Sequence, residues 1–283
     1  MTKQLAEVMA IVNRTPDSFY DKGATFASEK ALLRIDGAVS VGASIIDVGG
    51  VKAGPGDDVD VAEEIDRVVP LIAAARGRHP DVTLSVDTWR APVAEAAIAA
   101  GADLINDTWA GFDPELVEVA GHHRVGYVCS HTGGITPRTR PHRVHYDDVV
   151  ADVIAETTAL AERAASLGVP EKRIFIDPTH DFGKNTYHGL ELLRRVDELV
   201  ATGWPVLMAL SNKDFVGETL HRGLFGADIT ERVPGTLAAT AWAAARGVAA
   251  FRVHEVEATL DVIRMTAAIQ GEMAPLHTVR GLA

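Results

Sequence analysis

Eight short apolar runs recur along this chain at the spacing of a strand–helix repeat, and nearly every one ends in a polar side chain of a type used in catalysis. They are Val8 to Asn13, Ser44 to Asp47, Thr83 to Asp87, Asp103 to Asp107, Val125 to His131, Arg173 to Asp177, Pro205 to Ser211 and Ala249 to His254. Strands covered by helices on both faces read as continuous Val, Ile and Leu, as Ser44-Ile45-Ile46-Asp47-Val48 and Val206-Leu207-Met208-Ala209-Leu210 do. Between them lie helical spacings, the clearest being Val150, Val153, Ile154, Thr157, Leu160, Ala164 and Leu167. Gly42, Gly101, Gly168 and Gly247 each stand just before a strand, where a preceding helix needs a residue that tolerates positive φ. The pattern predicts an α/β fold, a (β/α)8 TIM barrel, in one domain over residues 1–283. Such a barrel takes about 250 residues, and no linker divides the chain.

Composition narrows the partners. A formal net charge of −12 argues against nucleic acid, so an anionic ligand must be drawn by local Arg and Lys at the mouth. Every apolar stretch is interrupted well before the roughly 18 residues of a membrane span. Met1-Thr2-Lys3-Gln4 leads directly into the first strand with no room for a signal peptide, so a cytoplasmic protein is expected. The single cysteine, Cys129, lies inside the fifth run and reads as a small buried hydrophobe, with no disulfide framework or cysteine zinc site.

In this architecture side chains at the C-terminal ends of the strands reach the active site. Here they are Asn13, Asp47, Asp87, Asn106, Asp107, His131, Asp177, Ser211, Lys213, Arg252 and His254. Two loops exceed the short connections expected. Val51 to Asp58 carries Gly54-Pro55-Gly56 and is expected to be mobile, and Thr132 to Tyr146 holds Arg138, Arg140, His142, Arg143 and His145, either solvated charge or an anion-binding loop. Trp89 and Trp109 suit a pocket wall or helix packing, and Ala238 to Ala245 suits a closely packed helix. A metal hydrolase would have to draw ligands from His131, His180, His188 and His254, but there is no clustered His-x-His pair and the first strand ends in Asn13.

Six segments resemble the dihydropteroate synthase family in order along nearly the whole chain. They are Asn13-Arg14-Thr15-Pro16-Asp17-Ser18-Phe19, Ser85-Val86-Asp87-Thr88, Ile105-Asn106-Asp107, the stretch Asp177 to Asn185, Ser211-Asn212-Lys213 and Arg252-Val253-His254. The resemblance implies condensation of 6-hydroxymethyl-7,8-dihydropterin pyrophosphate with p-aminobenzoate on the same barrel. It implies that Asp87, Asn106 and Asp177 hold the pterin edge, with Lys213 at the ring carbonyl. Arg252 and His254 would serve the leaving pyrophosphate, and Asn13 a Mg²⁺–pyrophosphate site. Phe182, Ser211 and Lys213 match positions of the arylamine pocket, where sulfonamide-type mimics would also bind. A homodimer through the last helices is implied as well. A methyl-transferring pterin enzyme of the corrinoid type shares pterin-edge carboxylates, but it has no use for a diphosphate site.

The chain departs from the family at the second substrate. Where the family reads Gly-Gly-Glu-Ser-Thr-Arg-Pro-Gly, this chain has Gly49-Gly50-Val51-Lys52-Ala53-Gly54-Pro55-Gly56. Ser-Arg-Lys becomes Ser211-Asn212-Lys213, and Gly-Phe-Gly-Phe-Gly-Lys becomes Thr179-His180-Asp181-Phe182-Gly183-Lys184. A lost charge-assisted contact of this kind removes about 2 to 4 kcal/mol of transition-state stabilisation, roughly 10² to 10³ in rate. Asp181 would repel the aminobenzoate carboxylate unless paired, while Arg14 and Lys52 add positive charge to rim loops. The expectation is a paralogue with a retained pterin pocket and weak or lost synthase activity. The alternatives are an active synthase with compensated loops and a non-catalytic pterin-binding or regulatory protein.

Overall fold

The computed structural model describes residues 5–15, 28–139, 144–225 and 227–280. Its strands are β1 (Glu7–Asn13), β2 (Ile45–Gly49), β3 (Thr83–Asp87), β4 (Leu104–Asp107), β5 (Gly126–Ser130), β6 (Ile174–Asp177), β7 (Leu207–Met208) and β8 (Ala250–Val253). The helices are α1 (Ser28–Val41), α2 (Val61–Arg78), α3 (Ala91–Ala99), α4 (Leu116–His123), α5 (Val149–Ser166), α6 (Thr186–Arg194), α7 (Val196–Val200), α8 (Asp214–Leu220), α9 (Val233–Ala244) and α10 (Val256–Ile269). All strand pairs are parallel in the order β6-β5-β4-β3-β2-β1-β8-β7, and a bridge between Ile176 and Val206 closes the barrel. The expected (β/α)8 barrel is therefore the fold.

Local chemistry starts and stops the helices as the sequence suggests. Asp60 caps α2 by accepting from the Glu63 amide at 2.8 Å, and Asp148 caps α5 through the amides of Val150 and Ala151. Gly42, Gly101, Gly168 and Gly247 take φ of 112°, 114°, 105° and 92°, the conformation needed to leave a helix and enter the next strand. The core has two parts. Between strands and helices lie residues such as Ile35, Ile46, Leu71, Ile72, Val86, Ile105 and Tyr127, and inside the barrel lie Met9, Ile45, Leu104, Val128, Phe175, Leu207 and Ala250. Cys129 is buried in the outer part, and burial pushes its thiol pKa up.

Strand register builds the mouth. Asn13 pairs with Gly49, Gly49 with Asp87, and Asp87 with Asn106, so these four stand at one level of the barrel. Two residues earlier, Ile11, Asp47 and Ser85 form the level beneath.

Two stretches are shorter than expected. The seventh run is regular strand only at Leu207–Met208, because Pro205 has no amide to donate and the chain turns at Leu210, whose carbonyl accepts from the Lys213 amide. Arg173, expected in the sixth strand, belongs to a 3₁₀ turn at Glu171–Arg173. The motif residues Pro16, Asp17, Ser18 and Phe19, and Arg140, His142 and Arg143 of the basic loop, lie outside the described residues.

Candidate active site at the barrel mouth

The floor of the mouth is a closed polar cluster. Asp47 is fully buried, so its carboxylate must be matched. It accepts from Ser85 Oγ at 2.6 Å, Asn106 Nδ2 at 3.0 Å and Arg252 Nε at 2.6 Å. Arg252 also donates through Nη2 to Asp87 at 2.6 Å, and Thr108 donates to Asp87 at 3.1 Å. Burial and the neighbouring Asp47 push the Asp87 carboxyl up to about 7, with burial the larger cause and Arg252 opposing both. Across the barrel Asp177 is raised to about 6 by burial, against the pull of the Thr179 amide, which donates to it at 2.7 Å, and of Lys213. Asn106 Oδ1 is buried without a hydrogen-bond partner. Carboxyls and an unpartnered amide oxygen at the C-terminal ends of β3, β4 and β6 suit a flat heterocycle with an N–H edge.

One wall is aromatic. Trp89 and Trp109 meet edge to face at 6.3 Å, Trp109 and Phe182 at 5.1 Å, and the Lys213 ammonium lies 4.8 Å over the Phe182 ring. Burial lowers the Lys213 pKa, while Asp181 pulls it back. Both tryptophans are buried, so they pack the wall as well as face it. A cavity of about 560 Å³ opens beside this wall, lined by Pro55, Asp58, Asp60, Trp89, Arg90 and Arg138.

The opposite side is held by Glu255, which sequence reasoning missed. Its carboxylate accepts from Ser211 Oγ at 2.9 Å and Asn212 Nδ2 at 3.0 Å, and Ser211 Oγ in turn receives the His254 amide at 3.2 Å. Its position immediately after Arg252-Val253-His254 was the available signal. Asn212 is 3% exposed with φ 55°, so the family's arginine is not merely absent here; its place is occupied by a buried amide tied to Glu255.

The basic rim residues divide. Arg14, expected on a mobile rim loop, is instead 8% exposed and donates through Nε to the Arg67 carbonyl on α2 at 3.1 Å, so it is packed on the barrel wall. Gly54 is open: a Cβ there would meet nothing within 4 Å.

The histidines do not converge on one centre. His180 is buried against Phe215, His188 shares the capping box of α6 with Asn185, and His254 sits at the end of β8. Among the described residues the one group with metal-ligand spacing is His131 with Asp152 and Glu156. His131 Nε2 lies 2.7 Å from Asp152 and 3.3 Å from Glu156, and burial together with Lys184 lowers its pKa to about 4. His131 Nδ1 is buried with no partner, without the outer hydrogen bond that usually orients a metal-bound imidazole.

Fold and site together define a single-barrel protein with a small-molecule pocket at the strand C-termini. The chain belongs to the pterin binding enzyme family, which matches residues 9–254, and is a homologue of dihydropteroate synthases. It is 63% identical over 282 residues to a Mycobacterium tuberculosis protein called inactive dihydropteroate synthase 2, covering 98% of this chain and 87% of that one. The structure of Mycobacterium tuberculosis Rv1207 superposes with a TM-score of 0.74 at 50% identity, covering 96% and 95% of the two chains. Xanthomonas albilineans dihydropteroate synthase with 4-aminobenzoic acid superposes with a TM-score of 0.83 at 38% identity, covering 94% and 93%.

Proposed function

We propose that this protein keeps a pterin pocket but has lost most or all of the capacity to condense the pterin with p-aminobenzoate. The observation that carries the reading is an asymmetry. Asp87, Asn106 and Asp177 converge on the barrel mouth with buried, proton-sensitive carboxyls, whereas Ala53, Gly54 and Asn212 stand where the family uses threonine and two cations. The 63% identity to a protein called inactive supports the same reading. In this reading Asp87, Asn106 and Asp177 bind the pterin edge and Lys213 its carbonyl side. Arg252, in β8, and His254, just after it, would serve the diphosphate.

The residues present fit Mg²⁺. Asn13 Oδ1 and Asp87 Oδ2 would lie 3.4 and 3.5 Å from a Cβ on Gly49, so the two oxygens stand about one spot, and oxygen donors of this kind suit a hard cation that takes its remaining ligands from diphosphate and water. Asn13 would hold it, and the ion would neutralise charge on the departing pyrophosphate.

The working form is a homodimer in the cytoplasm. An apolar groove between α6, α8 and α9, lined by Leu190, Leu193, Phe215, Leu220 and Trp242, supports self-association, with Leu220 and Trp242 46% and 45% exposed. Among the described residues no helix is long and apolar enough to cross a membrane.

The test is condensation of dihydropterin pyrophosphate with labelled p-aminobenzoate in Mg²⁺, run beside calorimetric binding of the pterin, on a preparation whose mass is read by sedimentation. Pterin binding at turnover 10²-fold or more below an ordinary synthase is expected, and the protein should sediment as a dimer. Normal turnover overturns the loss of activity, and absence of pterin binding overturns the pocket.

A pH dependence follows. Ring N–H donors bond an ionised carboxylate more strongly than a protonated acid, so affinity should rise as Asp177 and then Asp87 lose their protons. With a group titrating at about 7, the ionised fraction grows roughly tenfold between pH 6 and 8. Titrations giving one affinity across that range would show that neither carboxyl faces the ligand.

A further inference from the structure

The loop after β6 holds two residues in a conformation they adopt at a cost. Thr179 and Asp181 have φ of 51° and 70°, the left-handed region where a side chain costs roughly 1 to 2 kcal/mol. Both stand where the family sequence carries glycine. Each side chain is also fully employed. Thr179 Oγ1 donates to the Asp177 carbonyl at 2.9 Å and accepts from the His131 amide at 3.1 Å. Asp181 reaches across to α8, its carboxylate accepting from the Asp214 amide at 2.6 Å and more weakly from the Phe215 amide at 3.4 Å. Lys213, the residue that precedes α8, supplies no cap of its own, so Asp181 caps that helix from a different segment of chain.

The same carboxylate settles the charge on this side of the mouth. Burial lowers the Lys213 pKa and raises that of the Asp181 carboxyl, and for each the attraction of the other is the largest influence opposing the shift. The adjoining Asp214 adds a second carboxylate, exposed and bonded to Arg232 at 2.8 Å. Arg232 is itself committed to the carbonyls of Asn212 and Gly223 at 2.8 and 2.7 Å. With Asp214 matched by Arg232, a substrate carboxylate approaching Phe182 and Lys213 meets a lysine whose charge is already balanced by Asp181.

We propose that Asp181 sets the specificity of the second-substrate side, excluding carboxylated arylamines and admitting an uncharged amine in their place. The inference rests on the pterin reading above, and the experiment separates the two. Protein saturated with 6-hydroxymethylpterin and inorganic pyrophosphate in Mg²⁺ is titrated with p-aminobenzoate and with its neutral counterpart 4-aminobenzamide, for the wild type and for Asp181→Asn. Asparagine tolerates left-handed φ and retains an acceptor oxygen for the α8 amides, so the variant removes the charge with little disturbance. The wild type should bind the amide at least tenfold more tightly than the acid, and Asp181→Asn should gain tenfold or more for the acid. Equal or tighter binding of the acid by the wild type overturns the proposal, as does silence of both amines on pterin-loaded protein. An Asp181→Asn protein that folds, binds the amide and gains nothing for the acid overturns it as well. Should that variant not fold, the wild-type preference decides alone. No heat from the pterin itself would instead remove the underlying reading of the pocket.

Discussion

Arg252→Met will lower stability by about 3 kcal/mol at pH 8, because it leaves two largely buried carboxylates facing each other without their shared cation. Asp47 is fully buried and Arg252 only 15% exposed, so water cannot replace the lost guanidinium cheaply. The loss should shrink toward pH 5. With the arginine gone, burial and Asp47 drive the Asp87 pKa above its present value of about 7, well over that of an unfolded aspartate. A carboxyl whose folded pKa is raised binds its proton more tightly in the native state. Its contribution is therefore fully present below the unfolded value near 4 and disappears as pH climbs through the folded value. Urea unfolding at pH 5 and pH 8 checks this, and a deficit under about 1 kcal/mol at pH 8 would mean that the cluster is solvated rather than closed.

Lys184→Met should cost about 2 to 3 kcal/mol, for a different reason. The ammonium, 7% exposed, donates to the carbonyls of His131 and Phe182 at 2.9 Å each and to that of Thr179 at 3.4 Å, tying the loop after β6 to the end of β5. Methionine fills the space but strands those carbonyls. Burial lowers the Lys184 pKa to about 7, so between pH 7 and about 10 the folded protein holds this proton less tightly than the unfolded chain. Over that window the wild type should gain on the variant by up to about 1 kcal/mol per pH unit. Parallel stability curves for the two proteins would show that Lys184 stays charged throughout.

The barrel was legible because its signal is repetitive. Strand ends such as Asp87, Asn106 and Asp177 were found from the polar residue that closes each apolar run, and glycine punctuation marked where the helices stop. The directions taken by long side chains were not legible. The place of Arg252 in the last strand is plain from the sequence, but not that its flexible stem carries the guanidinium onto Asp47 and Asp87. The sequence places Arg14 as a loop cation, and the same freedom lays it against α2. Glu255 escaped notice because it acts from one residue beyond the strand, and its partners Ser211 and Asn212 are more than forty positions away in sequence. The abbreviated β7 depends on Pro205 and on a turn that only the closed barrel reveals.

The two altered loops did not change in the same way. At Gly54 a side chain has gone and left open space, the kind of change that accumulates when a contact is no longer required. Around Thr179 and Asp181 the chain holds backbone conformations that resist substitution of glycine, and it has surrounded them with hydrogen bonds to β5, β6 and α8. Erosion sheds strain, whereas this segment has taken it on. One side of the mouth is thus open and the other tied down, so the two departures from the family pattern differ in kind, the first removing a side chain and the second adding contacts.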